Sequence, residues 1–351
     1  MPPSNPVKPL IHGFSRAQLQ AFCGEWGQPA YRANQLWGWL YQRQARTWAE
    51  MTNLPAAFRQ GLAERLDLDA VQPLNESRDD RTAAGKLLLK LRDGDGIETA
   101  LIPAKDRRTV CVSSQVGCKF KCAFCASGQS GFKRNLDPGE IVGQVLAAAR
   151  AFEEIPSHVV VMGIGEPFDN YDAVLMALRI VNDPEGLCIG ARRITLSTCG
   201  VVPGIQRLAG EGLQFELSVS LHAPDDELRS RLMPVNRAYP LADLLAACKA
   251  YAEQTGRLIT FEYTLIRDLN DTPEHARGLI ERLRSIHARV NLIPLSPVQE
   301  FQGAAPLPQA VEAFVKVLER AHINVTLRAS KGSGVNAACG QLRRCMLTPT
   351  S

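Results

Sequence analysis

The stretch Cys118-Lys119-Phe120-Lys121-Cys122-Ala123-Phe124-Cys125 places three cysteines within eight residues, directly after a short β-rich run at 109–113. A loop that leaves a strand with thiols at this spacing can bring three sulfurs to one place. Three thiolates hold three corners of a cubane cluster, whereas four cysteines normally close a 4Fe–4S site. One iron is then left open to a small ligand, which separates a reactive cluster from one that only passes electrons. A zinc ion borrowing its fourth ligand from elsewhere is the competing reading.

Outward from this loop, the chain from residue 107 alternates short β-rich runs with amphipathic stretches. The runs are 109–113, 159–162, 194–198, 215–221, 260–266, 290–295 and 323–327. The amphipathic stretches are 138–152, 171–180, 241–253, 273–286 and 309–321. Asp137-Pro138-Gly139-Glu140 gives the first of these an N-cap, an N1 proline and an N3 glutamate. Such alternation predicts a parallel sheet with helical crossovers, a barrel or an open doubly wound sheet. About six repeats fall short of eight-fold closure, so the expected fold is α/β, a partial TIM-like (β/α)6 barrel with ligands at the C-terminal strand ends.

Upstream, 15–66 reads as a small helical domain. Ser15-Arg16-Ala17-Gln18 forms a capping box, 31–44 carries apolar residues at helical spacing, and Thr52-Asn53-Leu54-Pro55 opens a helix through Leu66. All four tryptophans (Trp26, Trp37, Trp39, Trp48) lie here among Arg32, Arg43 and Arg46. Two or three of them are expected in the core; an aromatic, basic surface for RNA is the sharper alternative. Two strands, 86–91 and 96–102, flank Asp93-Gly94-Asp95-Gly96 as a hairpin leading to the barrel.

Ten cysteines in 351 residues with strong helix and strand patterns do not fit a small secreted disulfide framework. In a reducing compartment, clustered cysteines point to metal, cluster or redox chemistry. Met1-Pro2-Pro3-Ser4-Asn5-Pro6 lacks a basic head before an apolar stretch, and no apolar run reaches membrane-spanning length. A cytoplasmic location with no membrane association is expected. The net charge of +4 permits a polyanionic partner without requiring one.

Gly163-Ile164-Gly165-Glu166-Pro167 follows one strand run, Ser197 ends the next, and Ser220-Leu221-His222 ends the one after. Taken alone, these read as a tight turn and satisfied loop residues. The triplet Cys118, Cys122 and Cys125, with Phe124 before its last member, resembles the radical S-adenosylmethionine (SAM) superfamily. That resemblance implies a 4Fe–4S cluster on the three cysteines. It also implies a GGEP-like turn in which Gly165 and Glu166 meet the SAM amino group, with further SAM contacts from Ser197, Ser220, Leu221 and His222.

Longer stretches sharpen the likeness. Residues 111–118 (CVSSQVGC), Ser220-Leu221-His222-Ala223-Pro224 and Ala337-Ala338-Cys339-Gly340-Gln341-Leu342 are similar to the RlmN/Cfr family of adenosine methyltransferases. Met51-Thr52-Asn53-Leu54-Pro55 is closer to RlmN than to Cfr. An adenine carbon such as carbon 2 has no lone pair with which to attack the SAM methyl, a chemical reason for a radical route. The resemblance implies that Cys339 takes a methyl from one SAM as a covalent carrier. A second SAM, cleaved at the cluster, yields a deoxyadenosyl radical that removes hydrogen from that methyl, and the carbon adds to the adenine. Two SAM molecules are used per turnover. Cys111 is implied to attack the Cys339 sulfur, leaving a disulfide bond that a reductant resets. Glu98 matches the family's proton acceptor, with Cys111 the competing base.

The chain departs from the family pattern in places. Lys331-Gly332-Ser333-Gly334-Val335-Asn336 replaces an acidic stretch before the carrier cysteine. Ser296 stands at a SAM-contacting position where asparagine is expected, although Asn291 is nearby, and the tail after Leu342 is short. Cys23, Cys188, Cys199 and Cys248 lie in apolar contexts and are read as core thiols, with Cys199, near Ser197, expected to be able to approach the cofactor without serving it, and Cys345 receives no role.

The expected organisation is a helical RNA-binding domain at 1–72, a β-hairpin extension at 73–106, the barrel at 107–330 and a tail at 331–351 carrying Cys339. The expected activity is methylation of adenosine carbon 2 in 23S ribosomal RNA, with transfer RNA as a further substrate and a donor such as flavodoxin feeding a monomeric enzyme. Carbon 8 methylation as in Cfr, a radical SAM enzyme acting on another RNA, and a zinc-bearing RNA-binding protein are the alternatives.

Overall fold

The computed structural model describes residues 8–328 and 332–346. Met1–Pro6 and Lys331 of the altered segment lie outside the described residues, and so does the side chain of Cys345.

The amino-terminal helices are α1 (Arg16–Glu25), α2 (Tyr31–Trp37) and α3 (Ala56–Arg65). The Ser15–Gln18 capping box is present, with both reciprocal bonds closing the first turn of α1. The expected continuous helix over 31–44 is broken in character: beyond Trp37 it continues as a π-helix over Gly38–Gln42. Of the four tryptophans only Trp37 is fully buried, while Trp26, Trp39 and Trp48 are half-buried against the core. The expectation of two or three core tryptophans is corrected accordingly. Short helices leave each outer indole one wet edge, and Arg65 and Arg43 stack over Trp26 and Trp39, each 4.2 Å from the ring centre.

Three antiparallel strands follow, β1 (Gln72–Arg78), β2 (Gly85–Lys90) and β3 (Asp95–Ala104), leading into β4 (Arg107–Cys111). Strand β1 was not legible in the sequence because nearly every position is exposed, so no alternation marks it. A separate hairpin, β5 (Gln115–Gly117) with β6 (Phe132–Asn135), encloses the cysteine loop and the short α4 (Ala126–Gln129). At its base Gly117 has φ +81°, and a Cβ there would lie 1.6 Å from the Gly131 carbonyl oxygen. Only glycine allows this closure.

The alternating part continues with α5 (Pro138–Phe152), β7 (His158–Val161), α6 (Tyr171–Asn182), β8 (Ile194–Thr198), α7 (Val202–Ala209), β9 (Glu216–Ser220) and α8 (Asp226–Leu232). It ends with α9 (Leu241–Thr255), β10 (Ile259–Leu265), α10 (Pro273–Leu283), β11 (Ala288–Pro294), α11 (Pro308–Arg320), β12 (Asn324–Leu327) and a two-residue β13 (Cys345–Met346). Helix α7 was missed in the sequence because Pro203-Gly204 reads as a turn. The proline occupies the first helical turn, where its missing N–H costs nothing.

Strands β4, β7, β8, β9, β10, β11 and β12 lie side by side, each parallel to the next. The result is six strand–helix units and one further parallel strand, an α/β partial barrel. The antiparallel β1–β2–β3 group widens it at the β4 edge, and β13 adds to β3. The segment that precedes α1, Leu10 to Gly13, docks on the start of α5, where a Cβ at Gly139 would come within 2.7 Å of Leu10 Cβ. No helix among the described residues is long and apolar enough to cross a membrane.

Candidate active site

A cavity of about 1040 Å³ opens at the C-terminal ends of the parallel strands. Cys118, Cys122 and Cys125 line it, carried by the loop between β5 and α4. Burial, and then the neighbouring thiols, push the Cys122 thiol well above its ordinary range; burial pushes Cys118 up to about 12. Thiols that resist ionisation together, in one cavity, favour a cationic centre that gives each thiolate a partner. Among the described residues no three His, Cys, Asp or Glu side chains converge on a single ion position. A tetrahedral zinc ion would need a fourth donor beside these three thiolates, whereas three thiolates suffice for a cubane with one iron left open. The donor set fits the cluster.

The other strand ends supply the opposite walls. Gly163 and Gly165 turn so closely over the chain leaving β4 that a Cβ at Gly165 would come within 2.6 Å of Gln115. That turn aims Glu166 inward. Its carboxylate accepts from the Phe168 amide at 3.0 Å and the Cys199 amide at 2.7 Å, and burial raises its pKa. Ser197, Ser220, His222 and Ser296 also line the cavity. The imidazole of His222 is pushed down to about 3 by burial and by Arg229, so it is neutral. The Thr264 amide donates to its Nδ1 at 2.9 Å, which leaves the proton on Nε2. Leu221 differs from its neighbours: its side chain is buried away from the cavity, and only its backbone bonds to Glu262 and Arg229.

Arg229, unremarked in the sequence, is completely buried and ties these strand ends together. It donates to the carbonyls of Cys199, Ser220 and Leu221, and to Asn236 Oδ1. Cys188 is exposed, so its reading as a core thiol is corrected; Cys199 is half-buried and lines the cavity, in keeping with its place near Ser197, and Cys23 and Cys248 are buried as expected.

The carboxy-terminal loop closes the site. Gly340 O accepts from the Ala126 amide at 2.8 Å, one residue beyond Cys125, and Leu342 O accepts from Ser127 Oγ at 2.7 Å. Cys339 is thereby fixed in the wall of the cluster-loop cavity. It also borders a second cavity of about 1000 Å³ lined by Cys111, Ala337 and Arg328. Cys339 is exposed where it opens on these spaces, yet dense surrounding protein pushes its thiol up to about 11. Cys111, buried on β4, is pushed up to about 12 by burial and then by Cys339.

Glu98 is not brought into either cavity. Its carboxylate meets Lys86 Nζ at 2.8 Å and the Arg343 amide at 2.9 Å, anchoring the carboxy-terminal loop to β3. The carboxylate that does face the main cavity is Glu262, which sequence reasoning passed over as a strand residue. It accepts from Asn291 Nδ2 at 3.1 Å and faces Arg328 Nη1 at 3.7 Å; burial raises its pKa.

Arg328 is the cation that both special thiols feel, and it pulls each downward. In protein freed of iron, alkylation of Cys339 should rise about tenfold per pH unit toward pH 11, because only the thiolate reacts. Arg328→Met should slow that alkylation about tenfold at pH 8. Peptide-resolved alkylation checks this, and an unchanged rate would show that the cation does not act on the Cys339 thiol.

Comparisons with known proteins agree with this geometry. Residues 112–280 match the Radical SAM superfamily, and residues 11–68 match the ribosomal RNA large subunit methyltransferase N-terminal domain. A probable dual-specificity RNA methyltransferase RlmN from Symbiobacterium thermophilum is 48% identical over 339 residues, covering 95% of this chain and 91% of that protein. Its counterpart from Geobacillus kaustophilus is 44% identical, covering 97% and 94%. A crystal structure of a radical SAM methyltransferase from Sphaerobacter thermophilus superposes with a TM-score of 0.93 at 45% identity, covering 95% of this chain and 99% of the other. The cysteine loop, the strand-end cavity and these relatives together make the chain a member of the RlmN family of radical SAM RNA methyltransferases, which use a 4Fe–4S cluster and SAM.

Proposed function

We propose that this enzyme methylates carbon 2 of an adenosine in 23S ribosomal RNA, with transfer RNA as a further substrate, through a methyl carried on Cys339. The observation that supports the reading is the double exposure of Cys339, to the cluster-loop cavity on one side and to the cavity of Cys111 on the other. Cys118, Cys122 and Cys125 hold the cluster; Gly165, Glu166, Ser197, Ser220, His222 and Ser296, with the backbone of Leu221, hold SAM.

Cys339, as its thiolate, attacks the methyl carbon of one SAM; the new S–C bond forms as the sulfonium S–C bond breaks and S-adenosylhomocysteine leaves. When bound, the cluster with a second SAM supplies the one-electron chemistry that removes a hydrogen from that methyl. The carbon on Cys339 becomes bonded to the adenine. The adduct gives up its unpaired electron, for which the cluster would be the acceptor, and a carboxylate removes the ring proton: Glu98 must first be released from the Arg343 amide to serve, while Glu262 already faces the cavity. Cys111 attacks the Cys339 sulfur; the S–S bond forms as the S–C bond breaks, and its electron pair leaves with the carbon, which takes a proton to become the product methyl. A reductant resets the disulfide, and a low-potential donor such as flavodoxin supplies the cluster.

In this reading residues 1–72 bind RNA, 73–106 extend the sheet, 107–330 form the barrel and 331–351 deliver the carrier, in a cytoplasmic monomer. Mass spectrometry of nucleosides from a deletion strain tests it. Loss of 2-methyladenosine, restored by the gene, is expected; loss of 8-methyladenosine instead would assign the Cfr-type position, and unchanged nucleosides would reject the reading.

A further inference from the structure

A second cavity, remote from the strand ends, lies where the segment leaving the amino-terminal helices passes over α5. It encloses about 1120 Å³ and is lined by His12, Arg46, Asp69 and Arg150, with backbone from the 68–73 segment. His12 is 97% buried by the measure of its 3% exposure, and neither ring nitrogen makes a hydrogen bond of ordinary geometry; the Leu68 carbonyl is the polar group that approaches it. Neither guanidinium, of Arg46 or of Arg150, has a hydrogen bond or ion pair among the described residues. Burial, and then the charge of Arg46, lower the pKa of Arg150, and Asp69 partly offsets this. Burial, and then Arg150, push His12 down to about 4.

The two cations face and repel each other with no fixed partner; Asp69 is the one carboxylate in the lining, and Glu50 acts on both arginines from outside it. Guanidinium forks are shaped for the paired oxygens of phosphate. We infer that this cavity is a phosphate-binding site, made by Arg46 from the amino-terminal side and Arg150 from the barrel side above His12. Its occupant is a phosphate of the RNA backbone, a source that rests on the RNA reading above; free phosphate shares the chemistry. Bound there, a phosphate bridges the helical domain and α5, so one contact fixes the angle between them. The plainer role for Arg150, complementing the C-terminal end of α5, predicts a different outcome.

The full-length holoenzyme and its Arg46→Gln/Arg150→Gln double variant decide the matter. Inorganic phosphate should raise the wild-type melting temperature by about 3 °C over chloride at equal ionic strength. The double variant should lose that rise and melt no lower than wild type in chloride, because it removes a repulsion. Its log affinity for a ribosomal RNA fragment should fall less steeply with log salt, by about 1.4 for two lost contacts, with lysine at both positions restoring the slope. Loss of the phosphate effect with an unchanged RNA slope would keep the site but assign it to free phosphate. A wild type that gains nothing from phosphate, or a double variant that melts lower in chloride, would overturn the site. Failure of the wild type to bind RNA would instead count against the RNA reading, with the phosphate arm still decisive.

Discussion

Cys339→Ala is expected to abolish RNA methylation, a loss of more than about 10⁴-fold, the scale at which removal of a covalent nucleophile is felt. In the proposed reading none of the other cysteines that line this cavity takes its place: Cys118, Cys122 and Cys125 are assigned to the cluster, and Cys199 lies against Glu166. Burial and that carboxylate hold the Cys199 thiol well above its ordinary range, so it stays protonated. The substitution deletes one sulfur from a loop whose carbonyls accept from the Ala126 amide and the Ser127 hydroxyl, so folding and SAM binding should persist. Equilibrium dialysis of SAM beside labelled-methyl transfer separates the two effects. Methylated RNA from the variant would mean that the methyl travels without this carrier.

Cys111→Ala should stop the reaction one stage later. Free methylated RNA should fall by roughly 10²-fold or more, replaced by a covalent protein–RNA adduct through Cys339. Cys111 stands on β4 opposite Val160 and Ala100, and it and Cys339 border the same second cavity. Losing one buried sulfur costs about 1 kcal/mol, which a chain of this size tolerates. Denaturing gels of labelled RNA with the purified variant give the readout. Free product at the wild-type level would remove Cys111 from the release step.

The sequence carried the barrel well, because its strands are buried and β-rich and its longer helices carry clear apolar faces. Asp137-Pro138-Gly139-Glu140 fixed the start of α5 to the residue, since a capping box is a local code. The cysteine triplet and the Gly163–Glu166 turn were legible for the same reason. What the sequence hid depends on distance in space. Arg229 reads as one more charge on a polar helix until the carbonyls of β8 and β9 converge on it. Glu262 lies in an apolar strand, and only the pairing of β10 with β11 sets Asn291 beside it. Glu98 shows the reverse: a matched position whose carboxylate the fold occupies with Lys86 and the carboxy-terminal loop. The altered stretch around Gly332–Asn336 carries no acidic group of its own, yet the Gly334 amide donates to Asp79 Oδ2 at 3.2 Å. An acid on the segment before β2 thus engages that stretch, a compensation that no single segment reveals.

Everything rests on Cys339 accepting a methyl group within the cavity of the iron-binding loop. Purified, anaerobically reconstituted enzyme incubated with SAM bearing a deuterated methyl, then digested and sequenced by mass spectrometry, tests this directly. The account predicts the label on Cys339 before RNA is added, and its passage into RNA afterwards. Label on Cys199, or labelled RNA formed while Cys339 stays unmodified throughout, would contradict it.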